Sequence, residues 1–184
     1  WAKVMDRWAR VSVLTARRAV NLLQLSVSYR TAKRSGQPQM PPNVMPTSLS
    51  IEPTTSCNLR CPECPSGLRS FTRPTGMLNV DHACRWIDEL APWLTYVNLY
   101  FQGEPLLHPK LDQLIAQCHR HGIYSSTSTN AHHLTEAKCH ALIDAGLSRL
   151  IVSIDGLTQE TYASYRVGGT LTKVMEGTRN MVEA

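Results

Sequence analysis

Three cysteines fall within one eight-residue stretch, "CNLRCPEC": Cys57, Cys61 and Cys64. Three thiolates on one short loop can hold three irons of a cubane [4Fe–4S] cluster and leave the fourth iron open to a substrate or cofactor. Zinc competes for such ligands, but a closed structural zinc site takes four, usually as two paired spacings. No second cysteine pair is present, so zinc would need a distant histidine such as His82 or His108. Three buried thiols with no metal is a further reading, and a weaker one, because Pro62, Pro65 and the polar spacers suit a loop wrapped round an object better than a packed core. Cys84, Cys118 and Cys139 fall on predicted helices and read as small core residues. A second cluster of chemistry is "FQGEPLLHP", where Gly103 allows close backbone approach by a ligand and Glu104, followed by Pro105, presents a carboxylate to a cation such as an ammonium. A lone glutamate there also reads as a helix N-terminal charge favoured by the helix dipole.

The elements that must position these groups alternate. Strands are predicted over residues 47–53, 95–101, 123–129 and 148–155, and helices over 81–90, 110–121, 135–145 and 158–165, with a last helix from near Leu171. Four successive βα units argue for parallel strands, as a barrel or as a doubly wound open sheet. The cysteine loop, Glu104, Asn130 and Ser153 with Asp155 all fall where strands end and loops begin, the edge on which such architectures collect their functional groups.

Composition narrows the classes. The 184 residues are 42% hydrophobic and 18% charged, as in a soluble globular protein. The net charge of +5 is concentrated: residues 1–36 carry eight basic side chains against Asp6 alone, and the remaining 148 residues sum to −2. The excess is therefore no sign of a nucleic-acid partner, and no aromatic–basic stripe, Walker loop or nucleophile elbow is present. Residues 1–30 plot as one amphipathic helix, with Trp1, Val4, Met5, Trp8, Val11, Ala19, Leu22 and Leu23 on one side and Lys3, Arg7, Arg10 and Arg17 on the other. It reads either as a helix packed on the main domain or as a peripheral membrane anchor; no apolar run is long enough to be a membrane span, and no secretory signal is evident. The expected organisation is a basic helical segment over 1–36, a proline-rich linker over 37–45, and a catalytic core over 46–184. The chain starts without Met and stops inside a predicted helix, so it is expected to be part of a longer one.

With these motifs in place, "CNLRCPEC…GEPLLHP…STN…VSIDG…YR" resembles the radical S-adenosylmethionine (SAM) superfamily, in the branch that includes anaerobic sulfatase maturases and peptide-modifying enzymes. The resemblance implies an α/β fold, a partial (βα) TIM-type barrel with four of about six βα units. It implies a [4Fe–4S] cluster held by Cys57, Cys61 and Cys64, with SAM chelating the fourth iron, and no catalytic group beyond cluster and SAM. Gly103 and Glu104 match the element that receives the SAM ammonium, with Gln102 where many relatives have another glycine. Ser153 and Arg166 match positions that reach the SAM carboxylate, and Asn130 one near the ribose. Glu63 departs from the pattern, since many relatives place there an aromatic that packs near adenine.

The implied function is reductive cleavage of SAM and hydrogen abstraction in peptide or protein modification, with a flavodoxin or ferredoxin as electron donor and a reducing cytoplasm as location. Two alternatives stand beside it: a radical SAM enzyme for a small-molecule or lipid-linked substrate, and a non-enzymatic iron–sulfur or zinc module for electron transfer or structure. His132 and His133 are expected in a solvated loop.

Overall fold

The computed structural model describes residues 12–37 and 44–184. The chain runs α1 (Ala16–Ser35), β1 (Ser48–Ser50), the short α2 (Pro65–Leu68), α3 (Val80–Leu90), β2 (Tyr96–Asn98), a 3₁₀ turn (Pro105–Leu107), α4 (Leu111–Arg120), β3 (Tyr124–Thr129), α5 (Glu136–Asp144), β4 (Arg149–Val152), α6 (Gln159–Tyr165) and α7 (Leu171–Glu183). The four strands form one sheet in the order β1-β2-β3-β4. All pairs are parallel, with Leu49 beside Val97, Val97 beside Ser125, and Thr127 beside Leu150. Strand order that follows chain order without reversal is the wall of a barrel, whereas a doubly wound sheet reverses at a switch point. The choice left open by the alternating pattern is thereby made.

The helices form where caps and apolar spacing agree. α3 starts on Asn79, whose side chain accepts from the His82 N–H, and buries Val80, Ala83 and Ile87 on one face. α4 buries Leu111, Leu114, Ile115 and Cys118 at i, i+3, i+4 and i+7. These meet Val97 and Leu99 of the sheet region in one core, in which each fully buried Leu or Ile contributes about 1.5–3 kcal/mol. Cys118 and Cys139 lie in that core as expected, and burial pushes the Cys118 thiol up to about 12.

The N-terminal segment departs from its expected form. The helix predicted over 1–30 is interrupted at 13–15, where Thr15 is extended and caps a new helix by accepting from the Arg18 N–H. α1 then runs on to Ser35 and stops at Gly36, which is left-handed at φ 69°. Residues 1–11 and 38–43, and with them most of the predicted linker, lie outside the described residues. The packed side is mixed: Arg18 and Asn21 are buried and Leu22 and Leu25 half-buried, while Leu23, expected on the same side as Leu22, is exposed. The Arg18 guanidinium donates to the carbonyls of Ala91 (2.9 Å), His121 (2.8 Å), Gly122 (2.8 Å) and Val13 (2.6 Å). It thus binds the C-terminal ends of α3 and α4 together, where helix dipoles favour a cation. Periodicity cannot reveal this, because it ranks residues by polarity and the partners here are backbone carbonyls.

Candidate active site

The cysteine loop leaves the end of β1 and is shaped by its own backbone. Leu59 in its middle is buried, and the Arg60 N–H donates to the Val167 carbonyl (2.9 Å), tying the loop to the segment after α6. α2 packs on it so closely that a Cβ on Gly67 would lie 2.4 Å from the Cys61 carbonyl oxygen and 2.5 Å from its nitrogen. Gly67 escaped the motif reading because the contact that demands glycine comes from elsewhere in the loop.

Glu104 ends the segment after β2 and is 2% exposed. Its Oε1 accepts from Thr129 Oγ1 (2.7 Å) and the Leu106 N–H (3.1 Å), and its Oε2 from the Asn130 N–H (2.8 Å). Burial raises its pKa despite these three donors, and no ion pair found among the described residues involves it. Gly103 beside it sits at φ 75°, and a Cβ there would lie 2.2 Å from the Thr54 carbonyl oxygen. The protein's own backbone is therefore enough to require glycine here.

Asn130 joins the two halves of the site. Its Nδ2 donates to Asn58 Oδ1 (2.8 Å) and lies 3.9 Å from Cys57 Sγ, while its backbone holds Glu104. Ser153 Oγ is 3.3 Å from Ser128 Oγ at the ends of β3 and β4. Arg166 pairs with Asp155 through Nε, and its Nη1 is 3.8 Å from Cys61 Sγ. Burial acts against its charge, but the bond and field of Asp155 outweigh it and hold the guanidinium above its ordinary pKa.

These groups share one space. A cavity of about 230 Å³ is lined by Cys57, Cys61, Cys64, Gly103, Glu104, Asn130, Ser153 and Arg166, every site residue expected from the sequence, together with Tyr100, Phe101, Gln102 and Thr129. Glu63 is exposed and does not line it. Thr129 and Asn58 fall inside the quoted stretches "STN" and "CNLRCPEC" but carry no expected role, since their part, holding Glu104 and Asn130, depends on contacts across the fold. Of the two histidines expected in a solvated loop, His133 is exposed, whereas His132 is half-buried and hydrogen-bonded on both ring nitrogens.

The donor set fits a polynuclear cluster and SAM. Among the described residues no three His, Cys, Asp or Glu groups converge on one ion. A zinc ion would draw its thiolates to about 2.3 Å. His108 is engaged at both nitrogens, with the Leu78 carbonyl and the Lys110 N–H, and His82 is exposed away from the cavity. In contrast, three cysteines spread round one cavity suit a cluster that takes one thiolate per iron. A buried carboxylate with no ion pair among the described residues suits a ligand ammonium, and Arg166 offers the complementary cation.

Comparison with known proteins agrees with this chemistry. Residues 51–184 match the radical SAM superfamily. The chain is 32% identical over 133 residues to the AdoMet-dependent heme synthase of Methanosarcina barkeri, covering 72% of this chain and 38% of that protein. It is 37% identical over 134 residues to the GTP 3′,8-cyclase of Hydrogenovibrio crunogenus (70% and 40%), and 32% identical over 126 residues to the PqqA peptide cyclase of Rhodopseudomonas palustris (68% and 32%). The chain thus spans two fifths or less of the length of these relatives. Among solved structures, SuiB of Streptococcus suis bound to S-adenosylmethionine superposes with a TM-score of 0.64 at 17% identity, covering 86% of this chain and 35% of that one.

Proposed function

The chain belongs to the radical SAM superfamily, enzymes that work with a [4Fe–4S] cluster and S-adenosylmethionine, and from that premise we propose that this cavity seats both and that the whole enzyme modifies a peptide or protein. One observation carries the reading: the three cysteines, the uncompensated Glu104 carboxylate and the Arg166 guanidinium line a single cavity at the C-terminal edge of the sheet. When bound, cluster and SAM supply the one-electron cleavage of a carbon–sulfur bond that starts radical chemistry.

The chain's own groups bind and orient. Glu104 receives the SAM ammonium, a charge pairing strengthened by its burial. Arg166, kept cationic by Asp155, and the Ser153 hydroxyl face the SAM carboxylate, and Asn130 faces the ribose. Phe101, 69% exposed at the cavity mouth, supplies the aromatic surface for adenine that Glu63 lacks. The peptide reading draws support from the PqqA peptide cyclase and from SuiB, also solved with its precursor peptide SuiA. A small-molecule substrate is the second reading, favoured by the similarity to the GTP cyclase and the heme synthase. The partners proposed with either are a one-electron donor of the flavodoxin or ferredoxin kind, in the cytoplasm, and a lipid surface touched by residues 1–30.

The test is anaerobic reconstitution of the full-length protein. Cys61→Ala is expected to lose most cluster iron. Glu104→Gln is expected to keep the iron and bind SAM about tenfold or more weakly, because it removes the charge that meets the ammonium. Full iron in Cys61→Ala, or unchanged SAM affinity in Glu104→Gln, overturns the assignment.

A further inference from the structure

We propose that the outward face of α1 rests on an anionic lipid surface and holds the cofactor mouth on the side of the domain away from the bilayer. The proposal makes specific the lipid contact assigned to residues 1–30 and rests on it; it does not depend on the identity of the substrate.

The observation is a helix that packs through Arg18, Asn21, Leu22 and Leu25 and leaves a second apolar stripe outside. Arg18 faces the sheet's base, and Asn21 bonds both the N–H and the carbonyl of Met45, just ahead of β1. The opposite side carries Val20 (55% exposed), Leu23 (65%) and Val27 (55%), spaced i, i+3 and i+7 on one face. The same stripe continues through Arg30 and Arg34, and no Asp or Glu occurs between residues 16 and 35. Short apolar side chains flanked by arginines, with no acid among them, match a headgroup region of negative charge over an apolar interior. The preceding residues 1–11 add Lys3, Arg7, Arg10, Trp1 and Trp8 to the same basic, aromatic composition. Among the described residues no helix is long and apolar enough to cross a membrane, so the contact is peripheral.

Orientation follows from the Arg18 contacts. Ala91, His121 and Gly122 lie on the connections entering β2 and β3, at the N-terminal ends of the strands. Cys57, Glu104, Asn130 and Ser153 follow the C-terminal ends. The strands are parallel, so α1 and the cofactor cavity occupy opposite ends of the sheet. A bilayer against α1 leaves the mouth facing water. The substrate therefore reaches the site from the aqueous phase, which argues against a substrate whose reacting group stays at the membrane.

The test uses full-length protein and vesicles of phosphatidylcholine with or without phosphatidylglycerol at low salt. The protein is expected to float only with the anionic vesicles. Leu23→Ser/Val27→Ser and Arg30→Glu/Arg34→Glu should each weaken partition about tenfold or more, with an unchanged unfolding midpoint. On vesicles, hydrogen exchange should slow at residues 20–31 and stay unchanged at 69–76 and 157–170, which flank the mouth. Flotation unaffected by both double variants would overturn the proposal and leave contact through residues 1–11 standing, whereas absence of flotation would overturn both. Slowed exchange at the mouth, or protection of residues 20–31 by the rest of the chain without vesicles, would also overturn it.

Discussion

At the N-terminal ends of the strands a buried cation, Arg18, meets four backbone carbonyls; at the C-terminal ends a buried carboxylate, Glu104, has three donors and, among the described residues, no ion pair. Both ends bury charge, which is costly unless it is neutralised. The base is completed by helix ends of the same chain. The cofactor end is rigidly arranged but electrostatically open, which is how a binding site differs from a structural lock made of the same kinds of group. The contrast can be attacked at three points.

The largest effect is expected in the cysteine loop. In Gly67→Ala the new Cβ meets backbone atoms of Cys61 at 2.4 and 2.5 Å and of Arg60 at 2.9 Å, none of which can swing aside. The loop must shift, and most cluster iron should be lost on reconstitution. Gly36→Ala is the control: Gly36 is left-handed where Gly67 is helical, yet its Cβ would meet nothing within 4 Å. It should cost only about 1 kcal/mol and leave iron content unchanged. Equal iron in the two variants would mean that the loop is not preformed.

Next comes the lock at the base. Arg18→Met keeps much of the stem but leaves the carbonyls of Ala91, His121 and Gly122 without their donor, and should cost about 2–4 kcal/mol in urea unfolding. Arg18→Lys should recover less than half of that, because an ammonium cannot fork between two helix ends. A loss below about 0.5 kcal/mol in Arg18→Met would show that water replaces the guanidinium, and the base would then be no more self-sufficient than the mouth.

The two ends also differ in how much of them the sequence displays. Cys57, Cys61, Cys64 and Glu104 were legible because their chemistry is carried by spacing and by position at strand ends, and the βα alternation placed that edge correctly. Gly67, Thr129 and Asn58 were not, since Gly67 is fixed by how the loop folds back on Cys61, and Thr129 and Asn58 by partners far along the chain. In the sequence Arg18 is only one of eight basic side chains, and the apolar side of the first helix is left either packed on the domain or on a membrane, because hydrophobic periodicity ranks residues by polarity and is blind to backbone carbonyls. Where helix C-termini crowd together, their carbonyls favour a cation, and an arginine is buried.

The smallest effect is expected at His132, which shows how the mouth is held without being neutralised. Its Nε2 accepts from the Thr170 N–H at the start of α7 (2.9 Å), so the ring proton belongs on Nδ1, which faces the Asn130 carbonyl (3.0 Å) and Oδ1 (3.1 Å). Burial lowers its pKa, and Lys173 on α7 and His133 push in the same direction. A histidine depressed in this way contributes stability that is present above its unfolded pKa of about 6.5 and lost as pH falls through the lower folded value. Protonation would turn Nε2 from acceptor to donor against the Thr170 N–H and loosen the turn that presents Asn130 to Glu104 and Asn58. Wild-type SAM affinity should therefore fall below about pH 6.5 by a factor within tenfold, the loss of roughly one hydrogen bond. His132→Gln, which offers a non-titrating acceptor, should flatten that fall while changing affinity little at pH 8, and nitrogen NMR of the wild type should show the Nδ1–H tautomer. An Nε2–H tautomer, or an identical acid limb in the variant, would mean that the position of Asn130 is set by the strand end alone.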